Sequence, residues 1–308
     1  MSNKKTDFLQ LIKKQRATKK EEKFDGTFLE YLDLVSKDSN ITMFAHKRLC
    51  DVIETHGVKV MEDDNPRKNK IFNGDNIKVY EYFAPEFYGM ERVISKIMRF
   101  LKSASLKGEE SRQVLLLMGP VGAGKSALTE HIKKSLEHSP YYVLKGDPQN
   151  GEPLQLIPRS LRAKFEKLLG VSIDGDLSPV ARHLLLEEYG GEYEMFPVVQ
   201  TTFSQRGRRG IAVVPPMDAN SQDVSVLIGS EDISKLDKYS EDDPRILSLN
   251  GAFNVGNRGI VELVEVFKNE IEFLHTIITA TQEKRVPSPG KHDMVHFDGV
   301  ILAHCNES

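Results

Sequence analysis

Apolar and polar positions near the start of the chain alternate with the period of a helix. In FLEYLDLVSKD (28–38) the apolar side chains recur every three or four residues, and Thr27 with Glu30 has the spacing of a capping box. The run TMFAHKRLCDVIETHG (42–57) repeats the pattern and ends on a glycine, which commonly terminates helices. The pattern predicts two consecutive helices in this part of the chain.

The segments around these helices are polar. DFLQLIKKQRATKK (7–20) has a short apolar stripe on a basic helix, and MEDDNPRKNKIFNGDN (61–76) has the composition of a loop. Acidic residues follow the basic stretch at once, so a solvated helix face is favoured over a surface for nucleic acid or membrane. We expect residues 1–80 to form a small, mainly helical N-terminal segment.

After residue 80 the pattern changes to short apolar runs separated by amphipathic stretches. Three of these runs are typical of buried parallel strands: VLLLMG (114–119), IVELVEVF (260–267) and GVILAHCN (299–306). YYVLKG (141–146) predicts a second core strand, and EMFPVVQTTFSQRGRRGIAVVPP (194–216) predicts a hairpin inserted into the core, with RGRRG at its tip. Strands separated by helices predict an α/β core with a doubly wound parallel sheet over residues 81–308.

Composition narrows the class of protein. The 308 residues suffice for one large α/β domain with a smaller appendage, and the net charge of −3 gives no overall attraction to nucleic acid or anionic lipid. Cys50 and Cys305 are far apart in sequence, a usage that indicates a reducing compartment without a disulfide framework. The sequence has neither the apolar run of a secretory signal nor the roughly 20 apolar residues of a membrane helix. We therefore expect a cytoplasmic protein whose partners include neither membrane nor nucleic acid.

The run between the first core strand and the helix after it has the strongest chemical signal. It reads Gly119-Pro120-Val121-Gly122-Ala123-Gly124-Lys125-Ser126 and matches G-x-x-x-x-G-K-[ST] at every position. Glycines let backbone N–H groups converge on phosphates, and the following helix adds the positive end of its dipole. We expect these eight residues and Ala127 to form a nucleotide site.

Two side chains of this loop have distinct expected roles. Lys125 should reach the β- and γ-phosphates of ATP, and Ser126 should bind Mg²⁺ through its hydroxyl. The alternative, a glycine-rich turn that binds nothing, is disfavoured because a strand precedes the loop and a helix follows it. The sequence therefore predicts ATP and Mg²⁺ as cofactors, with Lys125 as a catalytic residue.

The stretch GAFNVGNRGIVELVEVFKN (251–269) resembles a segment of AAA+ ATPases in which a glycine-led turn runs into an apolar strand that ends in Asp-Glu. The resemblance places Glu265 on the catalytic glutamate that orients the attacking water, and Val264 on the aspartate that holds the water shell of Mg²⁺. Glu262, two residues back on the same strand face, is then expected to substitute in part for this aspartate as a metal ligand. The alternative is that Glu262 and Glu265 are solvated charges on a helix face.

Two further assignments follow from the same resemblance. AAA+ proteins place a polar residue that senses the γ-phosphate at the end of a later strand, and Asn306 ends the run VHFDGVILAHCN. An asparagine that caps a strand or turn is the alternative interpretation. Tyr88-Gly89-Met90 resembles the hydrophobic-glycine-hydrophobic segment that lines the adenine pocket in this superfamily, which implies that Tyr88 and Gly89 contact the nucleotide.

Five segments together resemble one family. They are FDGTFLEYLDLV (24–35), LLLMGPVGAGKS (115–126), LSPVARHLLLEEYGG (177–191), NSQDVSVLIGSEDISKL (220–236) and EDDPRILSLNGAFNVGNRGIVELVEVFK (241–268). Their sequence and order are similar to those of the AAA domain of PrkA-type bacterial serine protein kinases, over residues 24–307. Glutamates spaced as in VELVE, without the aspartate, are typical of that family too. The stretch 204–219 is more divergent, so the resemblance implies no particular protein substrate.

This resemblance implies an AAA+ P-loop core that binds ATP and belongs to a serine protein kinase linked to stress or starvation responses. Two alternatives stay open: an AAA+ motor or protease-associated ATPase, and a nucleotide-gated scaffold. The sequence has no H-R-D-x-x-x-x-N loop, no D-F-G and no V-A-I-K strand, so it does not encode the chemistry of eukaryotic-type kinases. The valine at position 264 argues against a fast motor, and Glu265 argues against an inactive scaffold.

The chain stops two residues after Asn306. In AAA+ proteins an arginine finger and a small helical lid follow this point, and PrkA-type kinases add a further C-terminal domain. The expectation is therefore a nucleotide-binding core that stops before its lid, is weakly active by itself and does not assemble stably. The full-length protein is expected to form a homo-oligomer that acts on protein substrates the sequence does not identify.

Overall fold

The computed structural model describes residues 23–63, 65–72, 75–216, 223–268 and 271–306, and the basic helix expected over residues 7–20 lies outside this part of the chain. The strands are β1 (Asp25–Thr27), β2 (Val58–Val60), β3 (Lys78–Tyr80), β4 (Leu115–Gly119), β5 (Pro140–Leu144), β6 (Pro197–Thr202), β7 (Ile211–Val214), β8 (Ser230–Glu231), β9 (Leu247–Ser248), β10 (Ile260–Val264), β11 (Arg285–Val286), β12 (Val295–His296) and β13 (Val300–Asn306). The helices are α1 (Phe28–Lys37), α2 (Ala45–Glu54), α3 (Pro66–Phe72), α4 (Glu91–Ser105), α5 (Lys125–Leu136), α6 (Arg159–Leu169), α7 (Pro179–Glu187), α8 (Ser225–Ile228), α9 (Ala252–Val255) and α10 (Ile271–Gln282).

Four parallel strands form the central sheet in the order β4, β13, β10 and β7. In this register Leu302 of β13 lies between Leu115 of β4 and Glu262 of β10, and Asn306 lies opposite Gly119. The order differs from the order in sequence, because parallel neighbours are joined by crossover connections rather than by hairpins. The three strands predicted from apolar runs are therefore adjacent in one sheet.

Helices cover both faces of this sheet. On one face Ile260 belongs to an apolar cluster with Met98 of α4, to which α2 and α5 also contribute. On the other face Val261 packs in a second cluster with Phe253 of α9 and Phe273 of α10. β10 and β13 are buried on both sides and read as nearly continuous apolar runs, which is why the sequence reveals them, whereas β4 lies at the edge of the sheet and is partly exposed. The expected α/β fold with a doubly wound parallel sheet is confirmed.

A second, antiparallel sheet corrects two strand assignments. Its order is β1, β6 and β5, so the strand predicted in 141–146 exists but lies outside the parallel sheet. The hairpin predicted over 194–216 is wrong, because β6 pairs with β5 whereas β7 pairs with β10 of the central sheet. The pairing of Ser204 with Arg209 forms a turn that takes the chain from one sheet to the other. Strand periodicity alone does not specify the partner of a strand, and here it suggested the nearest one.

The predicted capping box is present at the start of α1. The hydroxyl of Thr27 accepts a hydrogen bond from the backbone N–H of Glu30 at 3.4 Å, and the carboxylate of Glu30 accepts one from the N–H of Thr27 at 2.7 Å. Phe28, Tyr31 and Val35 are buried along one face of this helix and pack towards the antiparallel sheet. The helical pattern of this part of the chain is thus correctly read from the sequence.

The polar stretch 61–76 is not a plain loop, and that prediction is wrong. It contains α3, and β2 and β3 on either side of it pair antiparallel. Met61, Phe72 and Ile77 form a small apolar cluster. Lys68 is buried and donates a hydrogen bond to the Asn76 side chain at 2.7 Å. The few apolar residues of this stretch are widely separated by charged ones. They do not recur at helical spacing, so the sequence gives no sign of the helix.

The N-terminal helices and the P-loop core share contacts. Leu49 of α2 and Leu101 of α4 are fully buried in the same cluster. The division of the chain into residues 1–80 and 81–308 stays a prediction. Within the described part of the chain, no helix combines the length and apolar character needed to cross a membrane.

Candidate functional site

The glycine-rich loop connects β4 directly to α5. β4 ends at Gly119 and α5 begins at Lys125. Gly122 and Gly124 have φ angles of +83° and +80°, in the left-handed region that favours glycine, and a Cβ atom on Gly122 would meet no atom within 4 Å. The first N–H groups of α5 have no partner within the helix and face outward from its N-terminus. This is the open backbone cradle that a phosphate needs.

The side chains of the loop have the exposure expected of a binding site. Val121, Gly122, Ala123, Ser126 and Ala127 are exposed. The ammonium of Lys125 donates hydrogen bonds to two carbonyls of its own loop, at 2.7 and 2.8 Å. These carbonyls belong to Gly119 and Pro120, so the lysine charge is held at the inner rim of the cradle.

Residues 88–90 border the loop. A Cβ atom on Gly124 would lie 3.7 Å from the sulfur of Met90, which places this segment against the cradle. Tyr88 is 76% exposed, and the guanidinium of Arg67 lies 3.8 Å from the centre of its ring. Gly89 has a φ of +83°, which a residue with a side chain rarely adopts. Contact of Tyr88 and Gly89 with adenine stays a prediction, and Met90 is the loop neighbour that sequence reasoning did not select.

Glu265 and Asn306 lie together although they are 41 positions apart in sequence. The amide of Asn306 donates a hydrogen bond to Oε1 of Glu265 at 2.6 Å, and the backbone N–H of Glu265 donates to the carbonyl of His304 at 2.9 Å. Glu265 is 9% exposed and has a φ of +53°, an unusual value for a residue with a side chain. The backbone and the amide together fix the direction of this carboxylate.

The pair is close to the P-loop because of the sheet topology. β4, β13 and β10 are neighbours, and their carboxyl ends lead into the P-loop, Asn306 and Glu265 respectively. Asn306 is the register partner of Gly119. Ligands of open parallel sheets bind outside the carboxyl ends of the strands, so this edge is the expected position of a nucleotide.

Two neighbours of Glu265 were missed by sequence reasoning. The ammonium of Lys268 lies 3.4 Å from Oε2 of Glu265, and the thiol of Cys305 lies 3.8 Å from the same oxygen. The spacing of three residues between Glu265 and Lys268 is a helical signal for such a pair. The contact with Cys305 has no local signal, because it depends on the register between β10 and β13.

Glu262 occupies a different environment, deep in the sheet. Its carboxylate is 6% exposed and lies 2.6 Å from the ammonium of Lys133. It also accepts a hydrogen bond from Thr129 at 2.8 Å and lies 3.1 Å from the ring nitrogen of His304. The interpretation of Glu262 and Glu265 as solvated helix-face charges is wrong, because Glu262 lies in β10, Glu265 follows the strand and both are buried.

The structure therefore does not bring Glu262 into the same group as Glu265 and Asn306. Its oxygens are already used by Thr129 and Lys133, two side chains of α5, on the buried side of the P-loop helix. These contacts argue against Glu262 as a metal ligand, because a ligand directs oxygen lone pairs at the ion. The expectation that Glu262 holds a metal stays a prediction.

The residues at the carboxyl edge fit a nucleotide with its metal. Gly122 and Gly124 leave room for phosphates, Lys125 supplies a positive charge, and Ser126 presents a hydroxyl on the first turn of α5. Within the described ranges no group of three or more His, Cys, Asp or Glu side chains is placed to hold a metal ion. Mg²⁺ commonly takes one or two protein ligands and completes its shell with phosphate oxygens and water, which suits a single hydroxyl.

Comparisons with known proteins agree with this geometry. The family model described as the PrkA AAA domain matches residues 26–308. The "ATP-dependent protease PrkA" of Bacillus subtilis (strain 168) is 34% identical over 310 residues, which cover 98% of this chain and 47% of that protein. The "Serine/threonine kinase YeaG" of Escherichia coli (strain K12) is 38% identical over 299 residues, covering 94% of this chain and 45% of that protein.

The chain thus spans about half the length of the curated relatives it matches. Among solved structures, the complex between subunits BchI and BchD of magnesium chelatase aligns with a TM-score of 0.42 at 13% identity, over 70% of this chain and 51% of that one. That likeness is too low to support an argument. The match of the family model over almost the whole chain is decisive: the chain belongs to the PrkA AAA domain family.

Proposed function

We propose that this chain binds ATP with Mg²⁺ and catalyses transfer of the γ-phosphoryl group. The observation that supports the proposal is the hydrogen bond between Asn306 and Glu265, at the edge of the sheet where β4 enters the P-loop. A buried carboxylate held next to a phosphate cradle is suited to orient and deprotonate an attacking hydroxyl. A glycine-rich turn without function would not require this pair.

Each group of the site has a separate task in the proposed reaction. Backbone N–H groups around Gly122 and Gly124 hold the phosphates, and Lys125 exchanges its loop carbonyls for phosphate oxygens. Glu265 accepts the proton of the attacking hydroxyl, and Asn306 keeps the carboxylate in position. Mg²⁺, when bound through Ser126, supplies neutralisation of the charge on the phosphate oxygens.

The proposed acceptor of the phosphoryl group is a protein serine. Support comes from a relative that is named a serine/threonine kinase and is 38% identical over 94% of this chain. Water is the second candidate acceptor, as in an AAA+ ATPase. The arrangement of Glu265 and Asn306 suits water and a serine hydroxyl equally, because a carboxylate held by an amide can orient either.

The cellular role is proposed from the membership of the chain in the PrkA AAA domain family. We place the full-length protein in the cytoplasm as a homo-oligomer that phosphorylates protein substrates in a stress or starvation response, without nucleic-acid or membrane partners. The net charge of −3 agrees with the absence of nucleic acid and anionic lipid from this list. Light scattering on the full-length protein with and without ATP measures its assembly.

ATP binding is tested with the Lys125→Ala variant. Removal of this ammonium should weaken ATP binding at least about tenfold, or about 1.4 kcal/mol, because it is the charge of the loop directed at the β- and γ-phosphates. Calorimetry on the wild type and the variant gives both affinities. Lys134→Ala, which removes an exposed lysine from the same helix, is the matched control and should bind like the wild type. Equal affinities for wild type and Lys125→Ala would refute the assignment of the loop.

The acceptor is identified by following labelled γ-phosphate. The chain is incubated with labelled ATP and a serine-containing protein acceptor, and phosphoserine and free phosphate are quantified side by side. Label in phosphoserine that disappears in Glu265→Gln supports the kinase proposal. Label found only as free phosphate, with the same dependence on Glu265, supports the ATPase. No release or transfer of label, with ATP binding intact, contradicts both.

A further inference from the structure

A cavity of about 600 Å³ lies at the end of the central sheet opposite the P-loop. Its wall includes residues that come directly before three of the parallel strands: Arg112 before β4, Arg258 before β10, and Asp298 before β13. The carboxyl ends of the same strands carry the P-loop, Glu265 and Asn306. The cavity is therefore separated from the nucleotide site by the length of the strands, and the proposed function does not use it. Its volume lies in the range of pockets that bind small molecules.

The wall of this cavity is strongly positive for a chain with a net charge of −3. Eight lysine and arginine side chains line it against five aspartate and glutamate side chains. The two histidines in the wall add no charge near neutral pH, because burial lowers the pKa of His46 to about 3 and also lowers the pKa of His296. A positive excess of this kind in a concave site attracts anions.

One side of the wall places two guanidinium groups on a single carboxylate, and the charge of a third, Arg285, acts on it from more than 4.0 Å away. Arg159 donates to Asp176 from Nε at 3.0 Å, and Arg162 approaches the same carboxylate at 3.5 Å. The hydrogen bond from Arg159, together with the charges of Arg162 and Arg285, lowers the pKa of Asp176. Since one carboxylate carries a single negative charge, the group as a whole keeps a positive excess.

The adjoining side holds two further positive charges, Lys284 and Arg112, beside the acid Asp298. The ammonium of Lys284 donates to the backbone carbonyl of Ser111, and burial, followed by the charge of Arg112, lowers its pKa, although Asp298 opposes this shift. Within the part of the chain that the structure describes, neither Arg112 nor Arg285 has an ion-pair partner within 4.0 Å. Asp298 itself is used by the first N–H of α2, which its two oxygens accept at 2.9 and 3.2 Å.

We infer that this cavity binds a small molecule that carries a phosphoryl group, at a site separate from the P-loop. Guanidinium groups match the geometry of phosphate oxygens and bind them through paired hydrogen bonds. A dianionic phosphoryl group would lie between Arg285 on one side and the two cations Arg112 and Lys284 on the other. Its two negative charges would neutralise the positive charge of the wall that the aspartates and glutamates do not balance. The volume of the cavity admits a sugar phosphate rather than a folded partner.

The test uses ribose 5-phosphate as the phosphorylated probe and ribose as its neutral counterpart. Both are titrated calorimetrically into the wild-type chain with Mg²⁺, once without and once with a saturating non-hydrolysable ATP analogue, which occupies the P-loop in the proposed function. Arg112→Gln and Arg285→Gln remove exposed cavity cations that make no ion pair among the described residues, so neither should disturb the fold. Arg99→Gln removes an exposed arginine of α4 outside the cavity and is the matched control.

The expected result is saturable binding of ribose 5-phosphate at one site, unaffected by the ATP analogue, with no binding of ribose. Either cavity variant should weaken it at least about tenfold, the effect of losing one charge-assisted contact, and Arg99→Gln should leave it unchanged. Three results overturn the proposal: no binding at millimolar probe, binding abolished by the analogue, or equal weakening in all three variants. Because the cavity titration does not depend on ATP binding, failure of the proposed function would not affect its outcome.

Discussion

Glu265 combines a strained backbone with a buried side chain. Its φ of +53° costs a residue with a side chain about 1–3 kcal/mol, and its carboxylate is only 9% exposed. The hydrogen bond from Asn306 and the backbone bond to His304 hold this conformation against its cost. Strain and burial at one residue, next to a phosphate cradle, agree with a role in chemistry rather than in packing.

Replacing this carboxylate should separate binding from turnover. Glu265→Gln keeps the size of the side chain and an oxygen for the Asn306 amide but loses the base, so phosphoryl transfer should fall by about 10² or more. ATP affinity should stay within a factor of about two, because Glu265 does not belong to the P-loop. Calorimetry and a phosphate-release assay on the same preparation measure the two quantities. Turnover equal to that of the wild type would remove Glu265 from the mechanism.

Replacing Glu262 should lower the stability of the fold rather than affect turnover directly. Glu262→Gln leaves the buried ammonium of Lys133 without its nearest buried partner, and breaking such a pair typically costs about 3–5 kcal/mol. We expect the lower end, about 3 kcal/mol, because Glu130 still contacts Lys133 at 2.7 Å. Urea unfolding measures the loss, and Glu130→Gln, which removes the exposed partner, should cost less than about 1 kcal/mol.

The dependence of ATP binding on Mg²⁺ decides between the two interpretations of Glu262. It should be unchanged in Glu262→Gln if the residue is structural, as its contacts with Thr129 and Lys133 indicate. A weaker Mg²⁺ dependence with unchanged stability would restore the metal-ligand interpretation.

At the scale of single residues, the sequence reveals those features that depend only on neighbouring residues in the chain. The eight positions from Gly119 to Ser126 are contiguous, so their pattern is complete before any folding is considered. The role of Glu262 depends instead on Lys133 and His304, which reach it from another helix and another strand. No spacing in the sequence encodes these contacts, which is why its environment was not anticipated.

At the scale of elements, α2 depends on a residue far away in sequence. No side chain of its own N-terminal residues caps it; among the described residues the carboxylate of Asp298 accepts the N–H of Ala45 at 2.9 and 3.2 Å. The next residue of the helix, His46, is 2% exposed, and burial, aided by the charge of Lys284, lowers its pKa to about 3. The helix therefore joins the N-terminal part of the chain to the start of β13.

The buried histidine should make the stability of the fold depend on pH. In the unfolded chain His46 binds a proton near pH 6.5, whereas in the folded chain it stays neutral down to about pH 3, so stability falls as pH decreases through this window. Between pH 7 and pH 5 the loss attributable to His46 is about 2 kcal/mol. Urea unfolding should show that the wild type loses about 2 kcal/mol more over this range than His46→Gln, which keeps the loss from the buried His296, whereas His275→Gln, an exposed histidine of α10, should follow the wild type. Parallel pH profiles for wild type and His46→Gln would contradict this.

Elements were predictable where their own periodicity defines them. α1 and α2 were expected from apolar spacing, α5 from its place after the glycine-rich loop, and the strand cores of β4, β10 and β13 from continuous apolar runs. The partner of β6 was not predictable from the sequence. The short polar turn that follows β6 is compatible both with a hairpin and with a connection between two sheets. Hydrogen bonding to β5 and β1 decides the outcome, and it depends on where those strands lie in the folded chain.

At the scale of the whole molecule, two large apolar clusters share the central sheet. One contains Leu302 and the other Ile301, neighbouring residues of β13 that face opposite sides. A strand that contributes to both clusters cannot detach without opening both. The proposed nucleotide site lies at one end of this sheet and the positive cavity at the other, so a ligand bound at either end would contact residues adjoining the strands of the shared core.

Because the P-loop is continuous with this core, ATP should stabilise the chain as a whole. A ligand that binds only the folded state at 100 times its dissociation constant adds about 2.7 kcal/mol to the free energy of unfolding. For a chain of this size, with an unfolding entropy of about 2.1 cal/mol/K per residue, that corresponds to a rise in the melting temperature of about 4 °C. Differential scanning calorimetry with and without Mg²⁺ and a non-hydrolysable ATP analogue measures the rise.

Lys125→Ala should lose about half of this rise at the same ligand concentration, whereas Glu265→Gln, which is impaired only in turnover, should keep all of it. A shift that is identical in Lys125→Ala and the wild type would mean that the stabilising nucleotide binds elsewhere than in the P-loop.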